Sequence, residues 1–199
     1  MRTLIRPPLF PVALVTALFA GSAVAGWAMD PARSHLAFVS IKAKDIAEVS
    51  SFDEMAGTIG DDGQVKVSLM LDSVDTLVPI RNERMREFLF DTTNYKEATL
   101  TAKLDPAAIA NMKPGDIVEI AAEGNLSLHG QEQPMLLHMQ AAKVNDSTVM
   151  VASSQPLIVD AAKFGMSEGV EKLREIAGLA SISNAVPVTF VMTFVATPN

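Results

Sequence analysis

The chain predicts an all-β protein built as one closed antiparallel sheet of eight strands, and three observations carry that expectation. Apolar and polar residues alternate with a period of two over eight separate stretches. Turn-forming residues such as Asp61-Asp62-Gly63 and Gly130 separate them. Only two segments break the period in favour of helical spacing, and both are short. Eight strands can close into a barrel whose interior is filled by side chains or holds one small ligand. A two-sheet sandwich shares the local pattern, and periodicity does not choose between them.

In chain order, the first segment concerns export. Arg2 and Arg6 precede an apolar run from Leu9 to Ala20, and Ala23-Val24-Ala25 supplies a small-x-small cleavage pattern. The run is shorter than the roughly 20 residues of a membrane span. The expectation is a cleaved signal peptide over residues 1–25, a single domain over 26–199, and a periplasmic location.

The strands follow. Residues 35–44 and 52–59 come first, then the Asp61-Asp62-Gly63 hairpin. After it Val65, Val67, Leu69 and Leu71 share a face, opposite Gln64, Lys66, Ser68 and Asp72. Residues 79–90 interrupt as a helix, with Pro79 in its first turn and Met85, Phe88 and Leu89 at i, i+3 and i+4. Alternation resumes over 98–104 and is clearest over 118–129, where Ile120, Ala122, Leu126 and Leu128 oppose Glu119, Glu123, Asn125 and Ser127. Met135, Leu137, Met139 and Ala141 form the next stripe, and residues 147–158 the seventh strand. A second helix is expected over 167–177, with Ser167 as N-cap, an apolar stripe of Val170, Leu173, Ile176 and Ala177, and Gly178 as its stop. The eighth strand, 186–196, carries Val186, Val188, Phe190, Met192 and Phe194 on one face. Stripes of this kind bury one face and wet the other.

Composition excludes several classes. The chain has 16 basic and 23 acidic residues, and losing a leader with two arginines leaves 14 against 23, a formal charge of −9. Such a surface suits neither nucleic acid nor anionic lipid headgroups. There is no cysteine, so disulfides and thiolate chemistry are excluded. His35, His129 and His138 show no converging spacing, and no metal site is expected. Met135, His138 and Met139 suggest a soft-metal cluster, but strand alternation sends His138 away from both methionines. No nucleophile elbow, zinc-protease helix, P-loop or dinucleotide fingerprint occurs, so binding rather than catalysis is expected.

A set of motifs in order resembles the YceI-like family of exported bacterial proteins. Trp27-Ala28-Met29-Asp30-Pro31 with Ser34 to Phe38 is similar to its opening, and Phe52 to Gly57 to its second strand. Ser73-Val74-Asp75-Thr76 followed by Arg81-Asn82-Glu83-Arg84-Met85 resembles the approach to its first helix. Phe88-Leu89-Phe90, Asn94-Tyr95, the Gly124 to Gly130 turn and Lys163-Phe164-Gly165 continue the likeness. The chain departs from the family pattern at Tyr95-Lys96, where Tyr-Pro is usual. It departs again at Ala161-Ala162-Lys163, where an arginine is common, and in its helix-forming segment 166–184.

The resemblance implies a lipocalin-like antiparallel barrel that holds a long apolar lipid, a polyisoprenoid or quinone type, in its lumen, with no other cofactor. The residues then expected to touch the ligand are Phe38, Phe52, Met85, Phe88, Phe90, Leu126, Leu128, Phe164, Met166, Phe190 and Met192. Each also suits ordinary core packing in a closed barrel. Arg81, Glu83, Arg84, Arg86 and Glu87 read as a solvated helix face, with Arg84 the one placed to meet a polar ligand head. The competing reading is a non-catalytic interaction protein with a packed barrel, docking a membrane or stress-response partner through an apolar patch near 164–180. An open lumen favours the carrier, and a filled one favours the docking protein.

Overall fold

The computed structural model describes residues 26–198, so the expected signal peptide lies outside the described residues. The strands are β1 (Gly26–Met29), β2 (His35–Lys42), β3 (Ile46–Phe52), β4 (Met55–Gly60), β5 (Gln64–Met70) and β6 (Val74–Asp75). After helix α1 (Pro79–Arg84) and a π-helical turn at Met85–Phe90 comes β7 (Glu97–Lys103). Helix α2 (Ala107–Ala110), β8 (Ile117–Leu128), β9 (Gln131–Asn145), β10 (Thr148–Ser153), β11 (Leu157–Asp160), α3 (Ser167–Ile176) and β12 (Ala185–Thr197) complete the order.

These segments make eight continuous strands, because several are halves of one. β1 pairs with residues 194–197 of β12 and β2 with residues 188–191, so both run along the same neighbour. β3 pairs with β2 and β4 with β1, which makes them one strand also. β10 and β11 both lie along β12. The antiparallel order then runs through β5, β7, β8 and β9, and the β12–β1 pairing closes an eight-strand barrel. Closure pairs most sheet edges, while β11 pairs only with β12 and residues 46–50 of β3 only with β2.

The first strand is longer than its alternation predicts, starting at Gly26 rather than 35. Asp30 hides the join: its carboxylate accepts from Ala32 N at 3.0 Å and Pro31 opens a 3-10 turn. Ser34, buried, ties that turn to the neighbouring strand by accepting from Thr193 N at 3.0 Å and donating to Asp30 O at 2.7 Å. Between the pairs Met29–Phe194 and His35–Val191 the first strand advances six residues and β12 only three. Extra residues of this kind bend a strand and re-aim its side chains.

The second strand also starts earlier than its alternation predicts, at Ile46 rather than 52, and breaks between Phe52 and Met55. The Asp61-Asp62-Gly63 turn needs glycine, because Gly63 has φ +80° and a Cβ there would lie 2.2 Å from Leu104 O. His129 and Gly130 both have positive φ, as a tight two-residue hairpin requires. The N-cap of α3 is Met166, without a side-chain hydrogen bond, so Ser167 is the first helical residue and not the cap. Gly178 ends α3 as expected, with φ +64° and its N–H donating to Glu175 O at 3.0 Å. α2 has no counterpart in the sequence reading.

One half of the barrel is solid. Met29, Ile59, Ala102, Ile120, Ala122, Leu137, Met139, Ala141, Val149 and Phe194 fill it and are buried. The other half is hollow, and the breaks between β1 and β2, β3 and β4, and β10 and β11 fall where one half gives way to the other.

Candidate functional site

The hollow half encloses a cavity of about 420 Å³ with walls that are almost wholly apolar. That volume lies in the range of ligand pockets, roughly 300–1,000 Å³. Every barrel strand of that half contributes: Leu36 and Phe38 from β2, Phe52 from β3, Leu69 from β5, Ala98 and Leu100 from β7. Leu126 and Leu128 of β8, Met135 of β9, Leu157 and Val159 of β11, and Val188, Phe190 and Met192 of β12 close the ring. Along the wall Phe38, Phe52 and Phe90 form an aromatic ladder with ring centroids 5.4 and 5.7 Å apart.

Helices cover the open end. α3 lays Val170, Leu173 and Ile176 on the cavity, and the π-helical turn adds Met85, Leu89 and Phe90. The two meet at Gly169, whose missing Cβ would lie 2.4 Å from Phe88 O and 2.9 Å from Leu89 Cα. Only a glycine permits that backbone contact.

Of the eleven expected ligand residues, nine line the cavity: Phe38, Phe52, Met85, Phe90, Leu126, Leu128, Met166, Phe190 and Met192. Phe88 and Phe164 lie outside the lining. Phe88 is half-buried, and in the π-helical turn Met85, Leu89 and Phe90 reach the cavity instead of an i, i+3, i+4 stripe. Phe164, 1 % exposed, is the largest fully buried side chain and borders a small surface depression with Pro134, Leu136 and Pro156. The histidines stay apart, with His129 against Tyr95 at 4.3 Å between ring centroids. No group of three or more metal-ligating side chains is found among the described residues.

The mouth is polar, and sequence reading missed most of it. Lys42, Glu48, Arg81 and Arg84 line the cavity. Glu48 Oε2 accepts from both Lys42 Nζ and Arg81 Nη1, and Arg81 Nη2 donates to Thr76 O at 2.6 Å. Arg81 is therefore turned inward rather than solvated. The signal for it was its place four residues before Met85, on the buried stripe of its helix.

Hydrogen bonding by Lys42, and then the charge of Arg81, hold the Glu48 carboxylate below its ordinary value of 4.5 against the opposing effect of burial. A depressed carboxylate stabilises the fold above its unfolded value and loses that contribution as pH falls through its folded value. The stability difference between wild type and Glu48→Gln is thus expected to shrink as pH drops below about 4.5. Urea titrations at pH 7, 5, 4 and 3 measure it, and a constant difference refutes the ion cluster.

Beside this cluster the loop before α1 holds Leu77 in solvent, 84 % exposed and at φ +61°. Asp75 Oδ1 accepts Leu77 N at 2.9 Å, while Asn82 Oδ1 accepts Thr76 N at 2.8 Å. The bond from Leu77, then that from Asn82, draws Asp75 below its ordinary value of 3.8. Left-handed backbone costs a non-glycine residue about 1–2 kcal/mol, and a glycine loses about 0.5–1 kcal/mol in entropy. Leu77→Gly is expected to raise stability by about 0.5 kcal/mol in urea unfolding. Destabilisation would mean that Leu77 has a packing role.

An antiparallel barrel with one hollow, helix-covered half and a ligand-sized apolar cavity is the class that this architecture defines. A sequence profile of the YceI-like domain matches residues 27–194, and the chain belongs to that family. Among solved structures it is similar to a polyisoprenoid-binding domain from Saccharophagus degradans implicated in plant cell wall breakdown. That match has 34% identity and a TM-score of 0.85, and it covers 87% of this chain and 99% of that one. BcnA from Burkholderia cenocepacia shares the fold at 17% identity and TM-score 0.65, covering 83% and 98% of the two chains. The YceI protein of Campylobacter jejuni does so at 13% and 0.52, covering 75% and 85%. A search of curated proteins gave no match.

Proposed function

We propose that this protein is a periplasmic carrier for a long-chain apolar lipid of the isoprenoid or quinone type, held in the hollow half of the barrel. The observation that carries the reading is the cavity of about 420 Å³. Its wall is a continuous apolar surface with an aromatic ladder and no ionic group beyond the mouth. An apolar chain entering it gains roughly 25 cal/mol for each Å² removed from water, so no anchoring charge is needed along its length. Met85, Met135, Met166 and Met192 on the wall suit a flexible tail, because thioether side chains adapt to varied shapes. The polyisoprenoid binding of the relative from Saccharophagus degradans supports the same ligand class.

The docking alternative required a filled lumen and an exposed apolar patch near 164–180. The lumen is hollow over half its length, and the large exposed apolar residues lie elsewhere, at Leu77, Val78, Ile80, Ile117, Leu136 and Ile158 among others. Both observations favour the carrier.

Native mass spectrometry of the mature protein from its own envelope, followed by lipid extraction, tests the reading. A bound species in the isoprenoid mass range is expected. A clean apo mass that stays unchanged when quinone and polyprenol are offered would reject the carrier.

A further inference from the structure

We infer that the open end of the barrel docks on a lipid bilayer through an apolar rim of Ile46, Leu77, Val78 and Ile80; the choice of a bilayer rests on the carrier reading, which sets an apolar lipid in the cavity behind that rim. Three segments make this end of the molecule, and hydrogen bonds join them. Lys42 of the β2–β3 hairpin pairs with Ile182, Ala43 N donates to Ser181 O at 2.9 Å and Ser183 N donates to Ile41 O at 2.9 Å, so the loop 177–184 lies on the hairpin. Arg81 of α1 reaches the same hairpin through Glu48.

All four rim residues are exposed. Glu48, Ser50 and Phe52, alternating along β3, line the cavity, and Ile46 is the next in that row, beyond the wall and in solvent. Val78 and Ile80 belong to the cavity wall and to the surface at once, so on the α1 side the apolar wall runs on to the exterior. Leu77 is the strongest sign. Its φ of +61° is a conformation that a bulky residue rarely takes, and Asp75 Oδ1, accepting its N–H at 2.9 Å, holds it there. Strain of that kind clusters at functional positions. Here it keeps a leucine side chain in water, where the isolated protein gains nothing from it. A bilayer removes that side chain from water, and interfacial binding grows with the apolar area buried.

The charge distribution favours a lipid surface. Residues 42–48 hold two lysines and two acids, residues 75–84 two arginines and two acids, and residues 177–184 no charge. This end is therefore neutral, and the formal charge of −9 on residues 26–199 lies wholly on the rest of the chain. The rim can approach a neutral or negative bilayer without the repulsion that the remaining surface meets. A lipid drawn from that bilayer would enter the cavity past Val78 and Ile80 without crossing water.

Co-sedimentation of the mature protein with phosphatidylcholine vesicles, beside uptake of quinone from detergent micelles, tests the assignment. The protein is expected to bind the vesicles, and binding should not weaken as salt rises, because apolar burial and not charge drives it. Leu77→Asn is expected to weaken vesicle binding about tenfold and to leave uptake from micelles unchanged, since Leu77 is outside the cavity lining. Asparagine takes the left-handed backbone readily, so this variant keeps the loop. Wild type that takes up quinone from micelles but does not bind vesicles would overturn the docking face and leave the carrier reading standing. Binding that appears only when phosphatidylglycerol is added, or that Leu77→Asn does not change, would overturn the face as well. A dimer that Leu77→Asn dissolves, with no vesicle binding, would reassign the rim to a second copy of this chain. Vesicle binding lost in Leu77→Asn, by a protein that takes up no quinone from either source, would keep the docking face and remove the carrier reading.

Discussion

Ala98→Trp is expected to abolish lipid uptake while leaving the barrel folded. Ala98 is buried on the inner face of β7, paired with Leu69 of β5, and both residues line the cavity. The neighbouring rung pairs Thr99 with Ser127, which sets Leu128 of β8 beside the same place. An indole there would fill the hollow that a prenyl chain is proposed to occupy, and a strand accepts a tryptophan without backbone strain. The cost of the extra volume is expected to stay within about 1–3 kcal/mol.

Ala102→Trp is the matched control. It sits four residues along the same strand and on the same face, but among the packed residues of the solid half. No empty space receives the ring there, so that variant should lose stability at or beyond the upper end of the overpacking range, about 3 kcal/mol. Urea unfolding separates the two alanines, and co-purified lipid reads out binding. Retention of lipid by a folded Ala98→Trp would move the ligand out of the lumen.

That contrast also marks the limit of what the sequence could say. Period-two stripes identified all eight strands, since burial of one face is written directly into the alternation. They could not separate the hollow half from the solid one. Ile120 and Ala122 are packed, and Leu126 and Leu128 face open space, yet all four belong to one unbroken stripe on β8. The difference arises from strand breaks such as Pro31–Arg33, which shift register around the barrel and have no apolar signature of their own.

Aromatic content was a fair guide to the wall, with two informative failures. Phe88 was assigned by α-helical spacing, and the π-helical turn brings Leu89 and Phe90 to the cavity wall in its place. Phe164 was assigned by size and apolarity, properties that a core position demands equally. The polar mouth was hardest to see. Lys42 and Glu48 face each other across the β2–β3 hairpin, but Arg81 lies 33 residues from Glu48, and only the docking of α1 brings it to them.

Gly169→Ala is expected to destabilise the protein, although the same change inside an exposed helix normally gains close to 1 kcal/mol. The reversal follows from what a Cβ would meet. Phe88 O at 2.4 Å and Leu89 Cα at 2.9 Å are backbone atoms of a turn that itself walls the cavity, so neither can swing aside as a side chain would. α3 must move outward instead, and the expected loss is about 1–3 kcal/mol. The movement has natural hinges. Gly165 and Gly178 flank the helix at φ +70° and +64°, and nothing lies within 4 Å of the Cβ position of either. α3 supplies Val170, Leu173 and Ile176 to the cavity wall, so lifting it opens the hollow half to water. Hydrogen exchange should therefore rise over residues 167–176, while β8 and β9, in the barrel wall, keep their protection. Lipid release should quicken in parallel. A Gly169→Ala protein that is more stable than wild type, with α3 as protected as before, would show that helix propensity outweighs the contact and that α3 does not seal the cavity.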